Sequence, residues 1–158
     1  MGDYRATIRW THARGDFLKG TYSRDHTWSF DAGITVPASP SPHSVPKAFA
    51  NEAAIDPEEA FVASISISSC HMLTFLYVAY KAGFEVASYD DEAVGVMTKN
   101  ERGVPWVSAV TLHPRIAYGG ARQPTREDED HLHHAAHDGC YIANSVKTEI
   151  TVAPVRRA

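Results

Sequence analysis

Cysteine is scarce in this chain, with two in 158 residues, and that scarcity rules out both a disulfide-stapled scaffold and a cysteine-rich zinc site. Charge of one sign is also missing. Fifteen Lys and Arg stand against nineteen Asp and Glu, so the clustered basic face that nucleic acid or an anionic membrane would require is not expected. No uninterrupted apolar run approaches the roughly 18 residues of a membrane span, and the opening residues form no apolar signal-peptide core. These features predict a cytoplasmic protein without nucleic-acid or membrane partners. A chain of this length buries enough core to fold as one domain over 1–158, without a structural metal.

Alternating patterns dominate the first third. Tyr4, Ala6, Ile8 and Trp10 alternate with polar neighbours, and Thr21–Phe30 repeats the pattern with Tyr22, Arg24, Trp28 and Phe30 on one face. Asp31-Ala32-Gly33 marks a turn before a short strand at Ile34–Val36, which predicts an antiparallel meander. From 37 to 56, Pro37, Pro40, Pro42 and Pro46 predict an arm or loop without helix or ladder, reaching over an active site or around a partner.

Asp56-Pro57-Glu58-Glu59 predicts a helix start, with Asp as N-cap and acidic residues in the first turn. The helix runs to Lys81, with Gly83 as the residue past its end, and is apolar enough to be buried on most sides. Ser64-Ile65-Ser66-Ile67-Ser68 alternates with strand period and predicts a distortion within it. Strands follow over 84–89, 92–99 and 106–116. A second helix is capped at Thr125 and ends near Gly139, and a last strand covers 146–152. The fold class is α+β, antiparallel sheets with a long central helix and a second, shorter one.

Cys70 lies within the first helix, where it is either an inert buried thiol or a reactive one requiring a cation from elsewhere in the fold. Arg24 is the first candidate, because a guanidinium on a core-facing strand position demands an anionic partner. Arg14 is the second. Glu58 and Glu59 serve the helix dipole or hold such a guanidinium. His131, His133, His134 and His137 on the second helix read as a solvated polar face, with a metal chelate as the competing reading.

Two segments carry a family resemblance. Asp56-Pro57-Glu58-Glu59-Ala60-Phe61-Val62-Ala63 with Ser68-Ser69-Cys70-His71-Met72-Leu73, and His137-Asp138-Gly139-Cys140-Tyr141-Ile142-Ala143-Asn144, resemble the two cysteine motifs of the OsmC/Ohr family. The resemblance is greatest to the branch with His after the first Cys. It implies an intertwined homodimer that reduces organic hydroperoxides without metal or organic cofactor. Cys70 would be the peroxidatic thiolate, Cys140 the resolving thiol, and a thiol or dithiol, such as a lipoyl group, the reductant. Glu58 and an Arg would activate Cys70. The family's usual Arg position holds Phe17 here, so Arg24 or Arg14 substitutes. Glu58 stands further from Cys70 than in the family pattern, an excess a helical bulge would absorb. Trp28, Phe30, Phe61 and Phe75 would supply apolar walls for an alkyl peroxide. A binding or redox-sensing protein on the same fold is the alternative, and a His-rich metal-binding protein a third.

Overall fold

The computed structural model describes residues 5–65 and 67–156. They fall into two compact units, Met1–Ala60 and Phe61–Ala158.

In the first unit, β1 (Ala6–Trp10), β2 (His26–Phe30) and β3 (Thr35–Ala38) form an antiparallel sheet in that order. Ile8 pairs with Trp28 and Trp28 with Val36, which confirms the meander. The second strand is shorter than its alternation predicts. Thr21–Asp25 is tied into the preceding loop instead: Thr21 N–H donates to Asp16 O, Ser23 N–H to Arg14 O, and the Trp10 indole N–H to Ser23 O. Arg24 therefore lies before the strand, not on its inward face.

The proline-rich segment closes on itself rather than extending as an arm. Ile55 N–H donates to Pro37 O, Ser39 N–H to Ile55 O and Asn51 N–H to Ser39 Oγ, with Ala38, Ser39 and Ser41 buried. Pro37 itself sits in β3, which tolerates it because β3 is an edge strand. The unit ends in α1 (Pro57–Ala60), where Asp56 Oδ1 accepts from Glu59 N–H at 2.7 Å as the predicted N-cap.

The second unit opens with a π-helical turn, Phe61–Ile65, and α2, Ile67–Lys81. The distortion expected from the Ser/Ile alternation is thus a π turn, the form a helix takes when it holds extra residues. Gly83, at φ +79°, terminates α2 with its N–H on Tyr80 O and that of Phe84 on Ala79 O. The stretch Pro57–Lys81 has the length and apolarity of a membrane span, a property that core helices share. A narrow ridge of α2 is buried, His71, Phe75 and Ala79 at i, i+4, i+8. Leu73, Tyr77 and Tyr80 are exposed, so this helix is not covered on most sides within one chain.

β4 (Glu85–Asp91) pairs with β7 (Pro114–Gly119), and β5 (Val94–Lys99) with β6 (Pro105–Leu112), both antiparallel. The single strand expected over 106–116 is split at His113. There the chain passes from one sheet to the other, Pro114 offers no N–H, and Asp91 Oδ1 accepts the His113 N–H. β8 (Glu149–Val152) joins β6 in parallel, one departure from an otherwise antiparallel arrangement. α3 (Arg126–Gly139) carries the predicted capping box, with Thr125 and Asp128 exchanging side-chain and backbone hydrogen bonds. Phe75 and Ala79 of α2 pack with Leu132 and Ala136 of α3 and with Phe84.

Candidate active site

α2 and α3 bring the two cysteines together. Cys70 is in the first turn of α2 and 7% exposed, while Cys140 caps the C-terminus of α3 and is fully buried. Both thiols are free, and Cys70 lies close enough to Cys140 to act on its thiol. Burial first, then the neighbouring Cys70 side chain, pushes the Cys140 thiol well above its ordinary range. Against this, Ala143 N–H points at Cys140 Sγ from 3.4 Å, a donor that favours the thiolate.

The loop after Cys140 is held by its own polar groups. Asn144 Nδ2 donates to both Asp138 O and Cys140 O, and Ser145 Oγ to Tyr141 O. The helices approach closely at Gly139: a Cβ there would meet Thr74 Cγ2 at 3.1 Å, and that methyl would have to give way by a few tenths of an ångström. Thr74 in turn donates its hydroxyl to Cys70 O at 2.8 Å. A pocket of about 200 Å³ opens beside Cys70, walled by Leu73, Thr74, Tyr77 and Tyr141. None of these walls is a cation.

The remaining predicted residues are distributed over both units. Phe61 lines a different cavity, with Trp106, Val107, Val146, Lys147 and Thr148, and Phe75 is turned into the core. The expected aromatic walls at those two positions are therefore not the walls of the Cys70 pocket. Leu73, Tyr77 and Tyr141 take that place. Their helical spacing around the cysteine motifs was the available signal, but it reads equally as core. Trp28 is half-buried in the first sheet and Phe30 is 42% exposed.

Arg24, in the first unit, donates to Tyr22 O and Gly20 O and lies 4.3 Å from the centre of the Tyr22 ring. Among the described residues no carboxylate pairs with it. A pocket of about 420 Å³ lined by Trp10, Phe17, Tyr22, Arg24 and His26 surrounds it. Arg14 instead forms an exposed ion pair with Asp25 at 3.4 Å. Glu58 Oε1 accepts from Ser44 Oγ, whereas its Oε2 is buried with no partner among the described residues. Glu59 is turned back toward the Asp56 N–H, the capping role.

The His-rich helix is not one solvated face. His133 points inward, and its Nδ1 meets His71 Nε2 at 3.1 Å. His71 is fully buried and His133 is 5% exposed. Desolvation lowers both to about 4, with His133 and His137 adding repulsion at His71, and Arg156 at His133. Among the described residues no three metal-ligating side chains converge, and the inward turn of His133 removes it from the chelate that its spacing suggested. Sequence reading missed the His71–His133 contact.

Comparison with known proteins adds a family model described as OsmC-like protein, which matches residues 50–154. No curated protein matches the chain. Among solved structures, an OsmC-like protein of unknown function from Vibrio cholerae is 44% identical over 98% of this chain and all of its own, at a TM-score of 0.92. An organic hydroperoxide resistance protein from Bacillus subtilis is 18% identical, covering 98% of both chains at 0.70. One from Elizabethkingia anophelis is 20% identical, covering 99% of this chain and 98% of its own at 0.73. At those identities the last two share the fold.

Proposed function

The chain belongs to the OsmC-like protein family, and on that premise we propose that it reduces organic hydroperoxides with two thiols. The observation that carries this reading is the pair of free, buried, neighbouring thiols, Cys70 and Cys140, with an open apolar pocket beside Cys70. The Cys70 thiolate attacks the distal oxygen of ROOH, the O–O bond breaks, and RO⁻ leaves to take up a proton as the alcohol. Cys70 becomes a sulfenic acid. The Cys140 sulfur displaces the sulfenic oxygen, which leaves as water, and an external dithiol reduces the resulting disulfide by exchange.

Arg24 is assigned as the activating cation and Glu58 as its orienting carboxylate. The support is chemical: Arg24 has no carboxylate among the described residues, Glu58 has one unpartnered oxygen, and Arg14 and Glu59 are engaged elsewhere. The exposed Leu73, Tyr77 and Tyr80 on α2 favour a homodimer that covers them. Thiol turnover of this kind also favours a reducing compartment, the cytoplasm.

A redox sensor with little turnover is favoured by one observation, the elevated thiol of buried Cys140 together with a Cys70 pocket whose walls hold no cation. Steady-state consumption of cumene hydroperoxide with a dihydrolipoyl reductant separates the two. Under the peroxidase reading the wild type turns over repeatedly, Cys70→Ser is inactive, and Cys140→Ser stops after one oxidation of Cys70. Full turnover by Cys70→Ser would sink the assignment, and a wild type that is oxidised stoichiometrically and then stops would favour the sensor.

A further inference from the structure

Two buried imidazoles lie next to the thiol pair and take no part in the chemistry above. His71 follows Cys70 directly on α2, and His133 precedes Cys140 by two helical turns on α3. Their planes lie within 10° of each other and their centroids 5.4 Å apart, with the facing nitrogens at 3.1 Å. The rings therefore meet edge to edge along the N···N line, as an N–H···N hydrogen bond requires, rather than face to face. Phe75 lies against both rings and shuts out water.

We propose that the His71–His133 hydrogen bond is the pin that sets the register of α3 against α2, and so holds Cys140 where it closes on Cys70. The inference rests on the two-thiol reading. Other α2–α3 contacts include the apolar group Phe75, Ala79, Leu132 and Ala136 and the Gly139–Thr74 approach, van der Waals contacts that carry no directional bond and tolerate small shifts. A buried hydrogen bond does not tolerate them. If α3 slides, both ring nitrogens lose their partner in a site that offers no other among the described residues, where His71 Nδ1 and His133 Nε2 are already buried without one. The remaining polar and charged groups acting on the pair do not replace that bond. Asp91 and His137 act on His71 only through their fields, as do Asp130 and Arg156 on His133, and the hydroxyl of Tyr89, which packs on Phe75, has no partner among the described residues. His71 lies near the start of α2, one residue past Cys70, and His133 lies midway along α3, two turns before Cys140. The pin is a positioning device and touches no substrate.

Closure is measured with glutathione disulfide in place of hydroperoxide, so the result is independent of peroxidase activity. Cys70 displaces one glutathione thiolate to form a mixed disulfide, and Cys140 displaces the second to close the ring. His133→Leu removes the hydrogen bond at similar volume, and His133→Asn keeps a polar atom near the Nδ1 position. Mixed-disulfide formation should be unchanged in both, while closure slows about 10- to 100-fold in His133→Leu and recovers in His133→Asn. His71→Leu and His71→Gln form the matching pair for the other ring, whose bonding atom is Nε2, and decide the matter if His133→Leu does not fold. Closure at the wild-type rate in a folded Leu variant overturns the pin, as does equal slowing in the Leu and amide variants. A wild type that closes but consumes no hydroperoxide overturns the peroxidase and leaves the pin standing. A wild type that never closes overturns the pin with it.

Discussion

The buried imidazole pair makes stability fall in mild acid. His71 and His133 are held neutral, lowered from 6.5 to about 4, chiefly by desolvation. In the unfolded chain both regain the ordinary value, so the unfolded state binds more protons between those limits. Stability from the pair is complete above pH 6.5, is lost as pH falls toward 4, and changes no further below that. At about 1.4 kcal/mol per pH unit, each ring loses about 2 kcal/mol of stability by pH 5 and about 3 kcal/mol at the acid limit. Both together are a large part of the roughly 5–15 kcal/mol of a whole domain. The assay is urea unfolding between pH 4 and 7.5 for wild type and for the double variant His71→Leu/His133→Leu, in which background carboxylate and surface histidine titrations cancel. The wild type should lose about 4 kcal/mol more than the variant between pH 7.5 and 5. Parallel stability–pH curves would refute the reasoning, because they would mean that the rings are hydrated or already charged in the folded protein.

In a Cys140→Ser background, Arg24→Met should slow alkylation of Cys70 at pH 7 about tenfold or more and move the rate–pH profile upward. Arg24→Lys should recover part of that, since an ammonium lacks the bidentate fork, and an unchanged profile in Arg24→Met would remove Arg24 from the site. Sedimentation at micromolar concentration should give a dimer, and Tyr77→Glu, which places a charge on the exposed α2 face, should shift it toward monomer; a monomeric wild type would contradict the assembly. Thr125→Ala should cost about 1 kcal/mol in urea unfolding through loss of the α3 capping box, and no loss would mean that the cap is not made in solution.

Local chemistry was legible where one residue's own backbone decides the outcome. Asp56 and Thr125 cap helices because a short side-chain oxygen meets orphaned N–H groups whatever the rest of the fold does. Gly83 ends α2 because it adopts positive φ without strain. The Ser/Ile run announced a helical distortion through residues ill-suited to a regular helix, and the π turn is its form. Arg24 was misplaced because alternation continues through residues whose hydrogen bonds go to a loop, and period alone does not say where a ladder stops.

The sequence by itself determined the two cysteine motifs, the capped helices carrying them and the α+β order, all of which depend on neighbours within a few turns of chain. Only the tertiary structure decided that His133 faces inward to His71 while His131 and His134 do not, because all three read alike on a polar helix until α2 packs against one side. The same packing set the walls of the Cys70 pocket as Leu73, Tyr77 and Tyr141. It also brought together two thiols seventy residues apart (140 − 70 = 70), a proximity that no local propensity encodes, because it arises from burial of the apolar ridges of two separate helices against each other.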